Sequence, residues 1–338
     1  MCVKFWVVCI LSQGMFQSLL GQPLDVEAEL SSQVERIRND REFYPDEYRF
    51  AKTHGRSLIG HGFELFGDPT DRVRRFAYNL YFSLGRGTDK PEDRKAILNI
   101  LVVQSFRNWE SGGGNALYYI ANQNPLLEAD FSEDTKVVIQ KEFLSEYRGN
   151  RMKPVVIRLV GVANLTTLLP QLQELSRIIP EFIEIYPQNR TALSTAVEDE
   201  IAFSALQARA RMGIKKDIQA CIKVVDSQPD EEFKVSHEFK YLVYIRQPEI
   251  LDYFRERYFF DFRYFKPLGE DVVPVRYSDW IRIYMETMVR GYPDFKEIDK
   301  ELYRIWNSLK TEDRNPGQFH EEYIRQWVKQ QRSWDIIR

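Results

Sequence analysis

Apolar residues recur through much of the chain at the three- and four-residue spacing that is typical of amphipathic α-helices. In the window Arg72 to Leu84 one helical face is apolar, and it consists of Val73, Phe76, Ala77, Leu80 and Leu84. A second apolar face follows in the next segment, at Ile97, Leu98, Leu101 and Val102. Long alternating Val/Ile/Thr runs bounded by Asn-Gly turns are missing from the sequence, so we expect few strands. The pattern predicts an all-α fold in which these two segments are paired antiparallel helices.

A unit of helix, glycine turn and helix recurs in the middle of the chain. Gly161 and Gly213 each follow an amphipathic segment and precede another one. We therefore expect both glycines to end a helix at positive φ, where the absence of a Cβ removes the steric cost. Gly85 marks a weaker copy. A fourth copy, without glycine, runs from Phe239 to Ile245 and then from Pro248 to Phe254.

The two best copies resemble HEAT-type repeats, in which a helix ending in Arg/Leu-x-Gly turns into a helix carrying Leu-Pro-x-Leu or Ala-Ile. The resemblance covers about residues 150–260 and weakens over 68–149. It implies a HEAT-like α-solenoid of antiparallel helix pairs, with a domain of irregular helix pairs as the alternative. The spacing of 52 residues between the two glycines exceeds a typical repeat of about 40 to 47, which implies an insertion around Pro187 to Thr191. The segments that carry the resemblance are Arg158-Leu159-Val160-Gly161, Leu169-Pro170-Gln171-Leu172 and Ala205 to Gly213.

The N-terminus has the features of a short secretory signal. Lys4 is the only charged residue before Asp25, and the apolar run Phe5 to Leu11 follows it. We expect a secreted or periplasmic protein whose mature chain starts near Gln22. The alternatives are a buried N-terminal helix or a true start at Met15.

The whole chain is thus expected to have four parts. Residues 1–21 are the signal peptide, 22–67 an N-terminal helical lead-in, 68–265 the HEAT-like helical repeats, and 266–338 a C-terminal helical extension rich in aromatic residues.

Charge and cysteine content narrow the classes of partner and cofactor. Lys and Arg number 47 against 50 Asp and Glu, so no overall basic excess attracts nucleic acid, and we expect no nucleic-acid partner. Polar residues interrupt the N-terminal apolar run, so the run is too short to span a membrane. We also expect no integral membrane span in the mature chain. Cys2 and Cys9 lie in the signal, which leaves Cys221 alone, on an apolar helix face, as an inert core thiol.

No motif in the sequence indicates a cofactor, a metal site or a catalytic residue. The four histidines do not form a zinc spacing. His237-Glu238 and His320-Glu321 are similar to the His-Glu pairs of a di-iron HEAT-repeat hydroxylase family, but that family needs four such pairs and this chain has two. We therefore expect no metal.

The segment Tyr253 to Phe265 is the least ordinary part of the sequence, because it contains eight aromatic residues interleaved with arginines. Arginine beside aromatic rings suits the recognition of a protein or a glycan. The alternative is a bulky cap that closes the end of the helical core. The candidate binding residues are Arg255, Tyr258, Arg263, Tyr264 and Trp280.

These features favour a non-catalytic interaction protein that presents a curved helical surface to a protein partner. The alternative is an extracellular glycan-binding protein or hydrolase with its site around residues 253–265, where Asp261 or Asp279 supplies acid/base chemistry. Two sequons, at Asn164 and Asn189, would accept a glycan if the host is a secreting eukaryote.

Overall fold

The computed structural model describes most of the chain between residues 25 and 336. The described residues are 25–88, 90–109, 113–123, 131–145, 152–177, 197–227, 234–259, 261, 263–265, 275–290, 292, 300, 304, 323, 326–331 and 333–336. The expected signal peptide, the glycosylation site at Asn189 and the expected insertion around Pro187 to Thr191 lie outside these residues. No helix among the described residues is both long and apolar enough to cross a lipid bilayer.

The chain forms two compact units, Met1–Gly114 and Asn115–Arg338. The boundary falls within one helix, Gly113–Gln123. The divisions at residues 67 and 265 that the sequence suggests stay predictions.

The first unit is organised around a 17-residue amphipathic helix, Asp71–Gly87. Its helices are α1 (Val26–Asn39), α2 (Glu47–His54), α3 (Leu58–His61), α4 (Asp71–Gly87), α5 (Pro91–Arg107) and the start of α6 (Gly113–Gln123), with 3₁₀ turns at Gly55–Ser57 and Phe63–Gly67. Helix α4 packs against α1, α2 and α5. The apolar face expected over Arg72 to Leu84 is buried, and so is the face expected on α5, which starts with proline at its first turn.

The second unit is built from shorter helices. After α6 they are α7 (Glu133–Leu144), α8 (Lys153–Val162), α9 (Leu169–Leu175), α10 (Val197–Arg211), α11 (Lys215–Asp226), α12 (Phe239–Ile245), α13 (Pro248–Arg257) and α14 (Tyr277–Met288). A 3₁₀ turn at Thr166–Leu168 precedes α9, and a π-helical turn at Lys234–Glu238 precedes α12.

Helix α10 is the centre of the second unit. It packs against α8, α9, α11 and α12. Every residue from Ala202 to Ala210 is buried, which is the pattern of a helix enclosed on all sides rather than one lining an open surface. Alanines at 202, 205, 208 and 210 keep this helix narrow, so its neighbours approach closely.

The expectation for Gly213 is confirmed. Its φ is +91°, and it follows the last turn of α10. The N–H of Gly213 donates to the carbonyl of Ala210 at 2.9 Å, and the N–H of Ile214 donates to that of Arg209 at 3.3 Å. This pair of bonds is a Schellman motif, which satisfies carbonyls at the end of a helix.

The expectation for Gly161 is wrong. Gly161 lies inside α8, and the left-handed residue is Asn164, with φ of 52°. The same Schellman bonds form here, since the N–H of Asn164 donates to Gly161 and the N–H of Leu165 donates to Val160, both at 3.2 Å. Asparagine tolerates the left-handed conformation, so the glycine is free to serve close packing instead.

The other two expected turns also differ from a glycine turn. Gly85 does not end its helix, because α4 continues to Gly87. At the copy without glycine, Arg246 follows α12 in the left-handed conformation, with φ of 55° and ψ of 46°.

The all-α class is confirmed. The strands are β1 (Tyr264–Phe265) and β2 (Val275–Arg276), which pair antiparallel with Tyr264 opposite Arg276 and Phe265 opposite Val275. One isolated bridge joins Val289 to Ile336. Of the expected C-terminal helical extension, the described part includes α14 and helical residues 326–330.

Candidate functional site

The four described aromatic side chains of the segment that the sequence singled out belong to the core. Tyr253, Phe254, Tyr258 and Phe259 are all buried, and their rings lie with Phe239 in one cluster. The Tyr258 ring is 3% exposed, so this candidate binding residue packs inside the second unit. The interpretation of the segment as a bulky cap therefore describes these four side chains better than a binding surface does.

The two candidate arginines are engaged within the protein. The Arg255 guanidinium forms an ion pair with Asp252 at 2.8 Å and lies 5.5 Å from the ring of Trp334. Arg263 is exposed, but it pairs with Asp261 and lies 5.3 Å from the ring of Tyr277.

The last two candidates sit on neighbouring elements. Tyr264 is in β1, and its side chain lies outside the described part of the structure. Trp280, on α14, is half-buried and donates its indole N–H to the hydroxyl of Tyr284 at 3.1 Å. The structure therefore does not gather the five candidates into one pocket among its described side chains.

The carboxylates considered for acid/base chemistry are also paired with arginines. Hydrogen bonds from Arg263 lower the pKa of Asp261, which makes this carboxyl a poor proton donor near neutral pH. Asp279 accepts hydrogen bonds from Arg276 at 2.9 Å and from Arg282 at 3.2 Å. Both groups have the surroundings of structural ion pairs.

The most exposed aromatic pair of the described chain lies instead in the first unit. Tyr44 is 84% exposed and Tyr48 is 62% exposed. Tyr48 is on the first turn of α2, and Tyr44 precedes that helix by three residues. We call this pair the Tyr44–Tyr48 surface. Tyrosine is among the residue types that are enriched at protein–protein interfaces.

Arg72, on the first turn of α4, holds the segment between α1 and α2 that carries this surface. Its guanidinium donates to the carbonyls of Ile37, Asp40 and Phe43, at 2.7, 2.9 and 2.6 Å. The bond to Ile37 satisfies a carbonyl that the end of α1 leaves open, and the other two fix the path of the residues that follow the helix. The planar fork of arginine makes three such contacts possible from one side chain.

Further local bonds make the same segment rigid. The guanidinium carbon of Arg36 lies 3.8 Å from the centre of the Phe43 ring, a cation–π contact. At the far end, the Asp46 carboxylate accepts the N–H of Arg49 at 2.9 Å and so caps α2. Tyr44 and Tyr48 are thus displayed on an ordered support.

Sequence reasoning missed the Tyr44–Tyr48 surface because it searched for density of aromatic residues. A usable signal was present for Tyr48, which falls outside the face of α2 formed by the buried Phe50, Ala51 and His54. The bonds from Arg72 carry no local signal, because they join residues that are 29 to 35 positions apart.

Among the described residues, no three His, Cys, Asp or Glu side chains are grouped so that they could hold a metal ion. Asn164, the described sequon residue, is exposed at the end of α8, and its glycosylation stays a prediction.

The chain matches no protein-family model, and neither a curated protein nor a solved structure is significantly similar to it.

Proposed function

We propose that this protein is a non-catalytic interaction protein that binds a protein partner through its helical surface, with the Tyr44–Tyr48 surface at the centre of the contact. The observation that carries the proposal is the exposure of these two tyrosines on a segment that Arg72 and Asp46 hold in place. Tyrosine and arginine are enriched among the residues that dominate protein–protein binding energy. A rigid support lowers the entropy that binding costs.

The test compares partners retained from an extract of the source cells by the wild type and by variants. We expect a partner held by the wild type to be lost with the double variant Tyr44→Ala/Tyr48→Ala. The matched control is Tyr118→Ala, since Tyr118 is an exposed tyrosine, 46% accessible, on α6. Retention of every partner by the double variant would refute the proposed surface, and so would equal loss with the control.

We also propose that α8 to α13 form stacked antiparallel pairs of the HEAT type. The support is that α10 packs against α8 and α12, while its neighbour α11 packs against α10, α12 and α13. Residual dipolar couplings of the amides measure helix directions in solution. We expect α8, α10 and α12 to run in the same direction, and opposite directions would refute the arrangement.

Export is the last part of the proposal, and it rests on the sequence of residues 1–21. N-terminal sequencing of the natural protein tests it. We expect a start near Gln22, and a cytosolic chain that retains Met1 or starts at Met15 would overturn it.

A further inference from the structure

Three helix ends of the second unit lie side by side, and hydrogen bonds join them. Arg211, the last residue of α10, donates to the carbonyl of Tyr244, near the end of α12. Arg246, which directly follows α12, donates in the same way to the carbonyl of Thr287, near the end of α14. The side-chain amide of Gln247 also donates to the carbonyl of Arg211, at 2.7 Å. We call residues 211–216, 246–249 and 287–290 the turn edge.

The turn edge carries a local excess of positive charge, although the whole chain has a net charge of −3. Its basic residues are Arg211, Lys215, Lys216, Arg246 and Arg290, and its acidic residue is Glu249. Lys215, Lys216 and Arg290 are exposed. The edge is therefore positive on the side that faces water.

The carboxylates that adjoin the turn edge do not remove this excess. Asp217 is buried in an ion pair with Arg209, at 2.9 Å, so these two charges compensate each other. Asp335 pairs with Arg290 at 3.8 Å, and Glu286 directly precedes the last part of the edge. Even when both are counted with the edge, the basic side chains outnumber the acidic ones.

The hydrogen bonds that hold Arg211 and Arg246 do not neutralise their charges, because a backbone carbonyl carries only a partial negative charge. Burial lowers the pKa of both guanidinium groups, and the charge of Arg211 lowers the pKa of Arg246 further, to about 9. Their positive charges are thus held at some cost. An added negative charge close to them would reduce that cost.

Two helices also begin at the turn edge. Helix α11 starts at Lys215 and helix α13 at Pro248, each directly after a turn. Neither has a side-chain hydrogen bond at its N-cap, which is Ile214 in α11 and Gln247 in α13. Because the N-terminus of a helix has a partial positive charge, both helices add to the potential of the basic side chains.

We propose that the turn edge binds an acidic segment of a protein partner. Asp and Glu side chains of that segment pair with Lys215 and Lys216, while Arg211 and Arg246 supply a favourable potential beneath them. Nucleic acid fits less well, because the chain as a whole is negative and the basic residues are confined to three turns. The Tyr44–Tyr48 surface belongs to the other unit, so the two proposals can fail separately.

Binding of labelled probes to the full chain, followed by fluorescence anisotropy at low and high salt, tests the kind of partner. The probes are a peptide of alternating Gly and Glu, a Gly-Gln peptide of equal length, and an oligothymidylate with the charge of the first peptide. We expect the Gly-Glu peptide to bind, more weakly as salt rises, and the Gly-Gln peptide to bind about tenfold more weakly or worse. No binding of the Gly-Glu peptide, equal binding of the Gly-Gln peptide or tighter binding of the oligothymidylate would overturn the proposal.

Two double variants with the same change of net charge test the surface itself. We expect Lys215→Gln/Lys216→Gln to weaken binding of the Gly-Glu peptide about fivefold. The matched control is Lys141→Gln/Lys223→Gln, because both of these lysines are exposed, on the last turns of α7 and α11. The control should change the affinity by less than about twofold. Equal effects of the two double variants would show that the peptide does not bind at the turn edge.

Discussion

The hydroxyl of Tyr244 donates a hydrogen bond to the backbone carbonyl of Arg158, which lies 86 positions earlier, at 2.7 Å. The ring reaches that carbonyl by passing over Gly161, one turn further along α8. A Cβ at position 161 would clash with the Tyr244 hydroxyl and would lie 2.8 Å from the Cα of Ala208. The glycine therefore allows α8, α10 and α12 to meet at one point.

This close contact reverses the usual effect of replacing a helical glycine. In an open helix Gly→Ala is stabilising by roughly 0.5–1 kcal/mol. We expect Gly161→Ala to destabilise the protein by about 1–3 kcal/mol instead, because the backbone of α10 must move. Urea unfolding measures the change. The control is Gly87→Ala at the end of α4, where no atom lies within 4 Å of the added Cβ. A stabilised Gly161→Ala variant would contradict this packing.

Gly213 differs from Gly161 because its requirement is conformational. The space around it is open, with Gln247 at 3.9 Å as the nearest group, but its φ is +91°. We expect Gly213→Ala to cost about 1–2 kcal/mol through backbone strain. Gly213→Asn should cost less, since asparagine tolerates positive φ. Thermal or urea unfolding compares the two, and an alanine variant as stable as the wild type would refute the reasoning.

Arg72 donates three hydrogen bonds to backbone carbonyls of the segment that carries the Tyr44–Tyr48 surface, so we expect its replacement to loosen that segment. A lysine ammonium lacks the planar fork of arginine, so Arg72→Lys should lose some of these three hydrogen bonds. We expect the free energy of unfolding to fall by about 1–2 kcal/mol. Arg75→Lys is the matched control, because Arg75 is exposed on the same helix, and it should change stability by less than about 0.5 kcal/mol. Hydrogen exchange should quicken in residues 40–46 of the first variant alone. Unchanged exchange there would show that Arg72 does not hold the segment.

Cys221 is fully buried on α11, as its apolar helix face predicted. Burial raises the pKa of the thiol, and the charge of Asp217 raises it further. The native protein thus holds a proton that the unfolded chain releases above its pKa of about 8.5. The stability from this thiol is complete below that pH and is lost as the pH rises above it.

We therefore expect the free energy of unfolding to fall between pH 7 and pH 9.5 by more in the wild type than in Cys221→Ala. Urea unfolding at the two pH values measures both differences. Labelling with iodoacetamide at pH 8, located by mass spectrometry, should be about a hundredfold slower at Cys221 in native protein than in urea. The same pH dependence in both proteins would contradict the role of burial.

Local pattern alone determined that α4, α5 and α11 are helices and which face of each is buried. The periodic apolar positions of α4, and the burial of Cys221 on α11, follow from side chains one turn apart on the same helix. Even the turn at Gly213 is a local matter, because the Schellman bonds join residues three and five positions apart.

Only the tertiary structure decided that Gly161 packs closely against its neighbours, that Tyr258 is buried and that Tyr44 is exposed. The use of Gly161 for close packing depends on Tyr244, which lies against it from a distant helix. The aromatic residues around Tyr258 become core and Tyr44 remains in water because long-range contacts cover the first and leave the second uncovered. Such contacts join parts of the chain that no local spacing relates.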